Sequence, residues 1–204
     1  YGSYYRVSSF LSEDKRLYFA GYGQAYKLGM GNNRNYADEG FRETNLTRDS
    51  GIRWDFLRNG TEYIEKYYMS RYMVWFLTNQ GNLASMGYNG YGQLGHGDTT
   101  NREYLKKVAT ISNVVDFSAG NGKTGYQHCF AIDNQGRLYA WGYNGYGQLG
   151  LNDTTNRNIP TLVNQGSIAG KTIVKAYAIG DSYTSYCHSF VIDSDRNVHA
   201  CGHN

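Results

Sequence analysis

The sequence predicts an all-β fold of the propeller kind, with short antiparallel sheets set radially about an axis. Three observations predict it. A sixteen-residue stretch recurs almost unchanged: GYNGYGQLGHGDTTNR at 87–102 and GYNGYGQLGLNDTTNR at 142–157 differ only at His96/Leu151 and Gly97/Asn152. Each copy follows two short apolar runs joined by a polar turn, the pattern of a β-hairpin. The anchoring glycines Gly21, Gly87, Gly142 and Gly202 are spaced by 66, 55 and 60 residues, room for four strands each. Radial repetition of such units is the signature of a propeller, since one blade cannot bury its faces alone.

The elements follow in order. The hairpins are SFLSEDKRLYFAG (9–21), WFLTNQGNLASMG (75–87), FAIDNQGRLYAWG (130–142) and FVIDSDRNVHACG (190–202). A further strand precedes the last two, at 114–120 and 173–180. A fourth strand follows each Gly-rich loop, at 102–108 and 157–163. Pro160, the only proline, suits an edge strand, where a missing N–H does no harm. A diverged loop stands at 21–31, and another begins at Gly202. The units run approximately 1–21 (partial), 22–87 with an insertion at 32–66, 88–142, 143–202, and the start of the next at 203–204. About three and a half four-stranded blades cannot close a ring, so the sequence reads as a fragment of a longer chain. Its exposed faces and edges would be sticky.

These residues resemble a known family. Gly136, Leu138, Tyr139, Trp141, Gly142, Asn144, Gly147, Gln148, Leu149, Gly150, Pro160 and Val163 match the RCC1-like (regulator of chromosome condensation) repeat, and His128 and His188 fall at its histidine position. The resemblance implies a β-propeller of four-stranded blades, usually seven. It also implies structural roles for Gly87, Gln93, Leu94, Gly95, His128, Trp141, Gly142, Gln148, Leu149, Gly150, His188 and Gly202. The sequence departs from the pattern in places. The loops Gly120–His128 and Gly180–His188 are lengthened, Met73 and Val7 stand where histidines are expected, and Trp141 is matched by Met86, Cys201 and Ala20 in the other copies.

Composition excludes several classes. No stretch approaches 18 apolar residues, so a membrane-spanning helix is not expected. The chain has 20 basic and 17 acidic residues, net +3, too mixed to indicate nucleic acid. Three cysteines, Cys129, Cys187 and Cys201, do not make a disulfide framework. GYGQLG formally matches G-x-G-x-x-G but leads into turn formers and a strand, whereas dinucleotide binding needs a helix there. His199, Cys201 and His203 share one face of a strand, but the outer two stand about 13 Å apart, too far for one zinc. Ser189 beside His188 makes no triad, because strand neighbours point to opposite faces. No catalytic residue, metal or cofactor is expected, and the reading is non-enzymatic.

Tyrosine is the one excess, at 21 residues. Tyr88, Tyr91, Tyr143 and Tyr146 lie in the Gly-rich loops, and Tyr126, Tyr183 and Tyr186 lie in or beside the lengthened ones. Tyrosine supplies rigid contact area with a polar tip, so these seven are candidate binding residues. The style of the repeats is closest to bacteriophage tail-fibre and bacterial surface proteins. The primary expectation is therefore a binding or structural module of an extracellular or virion appendage. It would contact a surface glycan or protein and be assembled with the rest of its chain or with other subunits. The alternative is an intracellular, cytoplasmic or nuclear, RCC1-type regulator acting by nucleotide-exchange-like, scaffolding or inhibitory protein contacts.

Overall fold

The computed structural model describes residues 7–13, 17–21, 42–43, 61–70, 72–120, 126–180 and 187–203. Among them are fourteen strands and no α-helix; the one helical segment is a single 3-10 turn at Gly166–Ile168. The first sheet holds β1 (Val7–Leu11), β2 (Leu17–Gly21) and β3 (Arg42–Glu43). The second holds β4 (Ile64–Met69), β5 (Met73–Thr78), β6 (Leu83–Gly87) and β7 (Arg102–Lys107). The third holds β8 (Val114–Ala119), β9 (His128–Asp133), β10 (Leu138–Gly142) and β11 (Arg157–Leu162). The fourth holds β12 (Ile173–Gly180), β13 (Cys187–Asp193) and β14 (Val198–Gly202). Strands pair with their sequence neighbours, always antiparallel. This is the all-β propeller architecture expected, in part-ring form. A unit counted from glycine to glycine, 88–142, takes β7 from the second sheet and β8, β9 and β10 from the third.

The hairpin between β9 and β10 shows how the local sequence sets the turn. Asp133 Oδ1 accepts the N–H groups of Gln135 and Arg137, both at 3.0 Å, an Asx-type turn. Gly136 follows at φ +74°, where a Cβ would run into Thr172 of the next blade. In the fourth sheet Asp193 repeats the bond, to the N–H of Asn197 at 2.9 Å. Arg196 takes the left-handed position there, at φ 69°.

The core lies between sheets. Met73, Trp75, Leu77 and Leu83 of the second pack against Val114, Phe117, Cys129, Ala131 and Trp141 of the third. Trp75 meets Trp141 at 5.5 Å between ring centroids, and both are fully buried. Phe130, Ile132, Leu138 and Ala140 then face Ile173, Ala176 and Val191 of the fourth sheet. The far face of that sheet is uncovered by any described residue, and Tyr177, Ile179, Phe190 and Val198 are exposed there.

The first strands of the three later sheets converge. Each carries the same register shift, at Ile64/Lys66, Val114/Asp116 and Ile173/Lys175. A bulge at that recurring position re-aims the side chain that follows it. Asp116 therefore bonds Lys66 on one side and Lys175, at 2.9 Å, on the other.

Candidate functional site

The duplicated loops are rigid because one asparagine holds each of them. Asn144 Nδ2 donates to the Asp153 carbonyl at 2.9 Å and the Thr155 carbonyl at 3.1 Å. Its Oδ1 accepts the Leu149 N–H at 2.9 Å, and Asn156 Oδ1 accepts the Asn144 N–H at 2.8 Å. Asn89 makes the same set with Asp98, Thr100, Leu94 and Asn101. Gln93 and Gln148 accept the N–H of Tyr91 and Tyr146 through Oε1, and Leu94 and Leu149 are fully buried beneath. Asp98 and Asp153 each accept from the backbone two residues on and pair with Arg102 and Arg157.

That scaffold presents aromatic rings. Tyr143 lies folded over Gly145, and Tyr88 over Gly90; a methyl at either glycine would collide with the phenol. From Tyr91 to His188 the rings form a continuous ridge across the loops, with Tyr72 and Tyr88 a further pair close to Tyr91. Tyr72 meets Tyr88 at 6.4 Å; Tyr91 meets Tyr126 at 5.1 Å and Tyr143 at 5.1 Å. Tyr126 meets Tyr143 at 4.8 Å, and Tyr143 meets Tyr146 at 6.1 Å. His203 continues the line at 4.9 Å from Tyr146, and His188 lies 6.4 Å beyond it. All eight are half-buried. Desolvation, then the bond with Tyr126 and the neighbouring phenols, raises the Tyr91 hydroxyl to about 12. The Tyr91 phenol is therefore neutral at physiological pH, and its tip is a hydrogen-bonding group rather than a charge.

Of the seven tyrosines singled out, Tyr88, Tyr91, Tyr126, Tyr143 and Tyr146 come together in this ridge. Tyr183 and Tyr186 lie outside the described residues. Tyr72, His188 and His203 belong to it as well. Only packing two adjacent loops side by side reveals them, although the recurrence of Y-N-G-Y is the signal that places the others. The residues given structural roles sit in the scaffold and core. Gly87, Gly142 and Gly202 have positive φ against the preceding strand, and Gly95 and Gly150 close the loops. The two repeat histidines differ. His128 is fully buried with Nε2 2.8 Å from Ser189 Oγ of the next blade, and desolvation lowers it to about 3. His188 lies on the uncovered side, against His203.

The three residues set aside as a zinc site, His199, Cys201 and His203, turn to separate partners. His203 turns to Tyr146, Cys201 Sγ donates to the Gln148 carbonyl, and His199 lies between Asp193 and Ser167. Among the described residues no group of three His, Cys, Asp or Glu side chains could hold a metal ion. No helix among them is long and apolar enough to cross a membrane.

The fold and the loops together define a β-propeller built from repeated four-stranded blades. Family models for the regulator of chromosome condensation (RCC1) repeat match residues 135–186 and 114–148. The Arabidopsis thaliana ultraviolet-B receptor UVR8 is 28% identical over 153 residues, covering 75% of this chain and 31% of that protein. Human protein RCC2 is 40% identical over 126 residues, covering 62% of this chain and 22% of RCC2. The chain thus spans less than a third of the length of either relative. Human WBSCR16 superposes with a TM-score of 0.70 at 18% identity, over 97% of this chain and 45% of that one. Yeast RCC1 (Prp20), solved bound to Kap60, gives 0.67 at 18% identity, over 97% and 40%. Both structural likenesses are likenesses of fold.

Proposed function

We propose that the chain is a non-enzymatic protein-binding segment of an RCC1-type propeller, and that its contact surface is the aromatic ridge over the Gly-rich loops. The observation that carries this is the unbroken line of rings from Tyr91 through Tyr126 and Tyr143 to Tyr146 and His203. Its members are held rigid before any partner arrives, so little entropy remains to be lost on contact. Tyrosines in such settings are the residues on which binding energy concentrates. The relatives favour the regulator reading over a virion or cell-surface appendage, since yeast RCC1 was solved on a protein partner. The partner is accordingly a protein rather than a surface glycan.

The test uses the full-length protein with a photo-crosslinking residue at position 146. A crosslinked protein, purified and titrated against the wild type and the Tyr91→Ala/Tyr143→Ala variant, is expected to bind the variant about 30-fold or more weakly. Equal affinity for both would remove the ridge from the contact. Saturable glycan binding that the double variant abolishes would instead favour the appendage.

A further inference from the structure

The middle of the ridge is a triangle of rings between two complete blades. Tyr91 follows β6 of the second sheet, while Tyr126 and Tyr143 flank the β9–β10 hairpin of the third. Tyr91 lies 5.1 Å from Tyr126 and 5.1 Å from Tyr143, and those two lie 4.8 Å apart. The planes do not stack. Tyr91 and Tyr143 cross at 67°, and Tyr143 and Tyr146 at 77°. Rings set edge to face leave a notch between them, walled by the face of one and the edge of the other.

The triangle offers hydroxyls and no charge. The titratable groups that act on Tyr91 are the phenols of Tyr126, Tyr88 and Tyr143. Those that act on Tyr143 are the phenols of Tyr146 and Tyr126 and the Cys187 thiol. No carboxylate or ammonium is among them. The Tyr91 phenol is bonded to Tyr126, whereas the Tyr143 hydroxyl has no hydrogen-bond partner among the described residues. The backbone beneath has little left to offer. The N–H groups of Tyr143, Asn144, Tyr146, Gly147, Leu149 and Gly150 are all bonded within the protein.

We propose that the notches from Tyr91 to Tyr146 receive a proline-rich peptide in the polyproline II conformation. The inference rests on the ridge being the contact surface and names the chemistry of its partner. A partner β-strand needs a free backbone edge to pair with, and the loop amides are already spent. A partner helix spends its own carbonyls on its own N–H groups, so it has nothing to accept from a phenol. An arginine stacked on the rings would find no carboxylate beside them to complete its pairing. A polyproline II segment has no internal hydrogen bonds, and its carbonyls point outward as free acceptors. Proline has no N–H, so none is orphaned when the segment docks on hydroxyl donors. Its pyrrolidine rings fill aromatic-lined notches, and its stiffness matches a surface that is itself rigid. The Tyr143 hydroxyl donates to a peptide carbonyl, while the faces of Tyr91, Tyr126 and Tyr143 take the pyrrolidine rings.

The experiment uses the full-length protein and three end-capped ten-residue peptides: all proline, alternating glycine and serine, and alternating arginine and glycine. Each is titrated by calorimetry. The expected result is saturable binding of the proline peptide with a Kd of about 1 mM or tighter, and none of the glycine–serine peptide. Tyr143→Ala should weaken the proline peptide about tenfold or more. Tyr143→Phe keeps the ring and loses only the hydroxyl, so it should weaken binding roughly fivefold, as one hydrogen bond predicts. That variant stands as a test even if the alanine variant does not fold. No saturable binding of the proline peptide, equal binding by wild type and Tyr143→Phe, or tighter binding of the arginine peptide would each overturn the proposal. If the proline peptide fails while the crosslinked partner still binds the wild type and loses affinity with Tyr91→Ala/Tyr143→Ala, the peptide class is wrong and the contact surface stands. If that double variant leaves the partner unaffected, the surface itself is wrong.

Discussion

Trp141 is the residue on which the stacking of the second and third sheets most depends. Its side chain is fully buried, it touches Trp75, and it closes the loop through the Gln93 carbonyl. Truncating a buried tryptophan to alanine costs about 3–5 kcal/mol. Within that, the ring pair contributes about 0.5–1.5 kcal/mol and the hydrogen bond about 1 kcal/mol. Both contributions are present here, so Trp141→Ala belongs near the top of the range, about 5 kcal/mol. For a chain of this size each kcal/mol shifts Tm by about 2–4 °C, a fall of about 10–20 °C. Trp141→Phe keeps the ring and loses the N–H, and should cost about 1–2 kcal/mol. Cys201→Ala, at the homologous position, removes one half-buried sulfur and should cost about 1 kcal/mol or less. Chemical denaturation of the full-length protein measures all three. Hydrogen exchange should show the loss concentrated in β5 and β9, which carry Trp75 and the strand partner Cys129. If Trp141→Ala costs no more than Cys201→Ala, the indole is not what joins the two sheets.

Two further predictions concern acid and the one polar exchange between the duplicates. Burial pushes the Asp116 carboxyl up, but Lys66 and Lys175 outweigh it and hold the group below its usual value. Its stabilisation is present above the unfolded carboxylate pKa and is lost as pH falls through the folded one. Desolvation lowers His96 to about 4 and His128 to about 3, so the unfolded chain binds protons first. Stability should therefore decline from about pH 6.5 downward through the histidines, and further below about pH 4 through Asp116. Asp116→Asn should diminish the lower phase alone, since Asp133 and Asp193 are also held low and remain, and denaturant midpoints across pH 3–8 would show whether it does. Separately, His96 Nε2 lies 3.0 Å from Ser85 Oγ, whereas Leu151 and Ala140 occupy the matching places one blade on. Ser85→Ala alone leaves the half-buried imidazole only the longer contact with the Ser85 carbonyl and should cost about 1 kcal/mol. Ser85→Ala with His96→Leu should cost less than that single change, and a double-mutant cycle showing simple additivity would refute the pairing.

The strands were legible because their signal is local. FAIDNQGRLYAWG contains both a period of two and its own turn, and it becomes β9, the Asp133 turn and β10 with no slip in register. The segment 157–163 likewise becomes β11, with Pro160 on the edge of its sheet. The ridge was half legible. The loop tyrosines were visible as a repeated pattern, but Tyr72 and His203 join only because neighbouring blades set their loops side by side. The exchange of Trp141 for Cys201 at the next interface was legible in the repeat alignment alone. The contact among Ser167, His199 and Asp193 had no sequence signal, since it joins a 3-10 turn to two strands across 26 residues or more.

The duplicates also show what holds each position fixed. Within the loops, nearly every side chain is spoken for: Asn144 alone serves three backbone groups, and Asp153 serves both the Thr155 N–H and Arg157. A change there would orphan a buried group, which explains why the two loops share one backbone. The two positions that differ are the two the network leaves open. Position 97/152 holds a left-handed residue, φ 87° in Gly97 and 56° in Asn152, and asparagine is the side chain that tolerates this best. Gly97 faces only Ile159 at 3.7 Å, so there is space for a side chain. Position 96/151 changes together with its partner across the blade, polar with polar and apolar with apolar. Between the two duplicates variation is thus confined to positions 96/151 and 97/152, while the residues that carry the rings are shared. A surface presented by an invariant frame over changing interfaces can keep its spacing from blade to blade, which a ridge of tyrosines 5–6 Å apart requires.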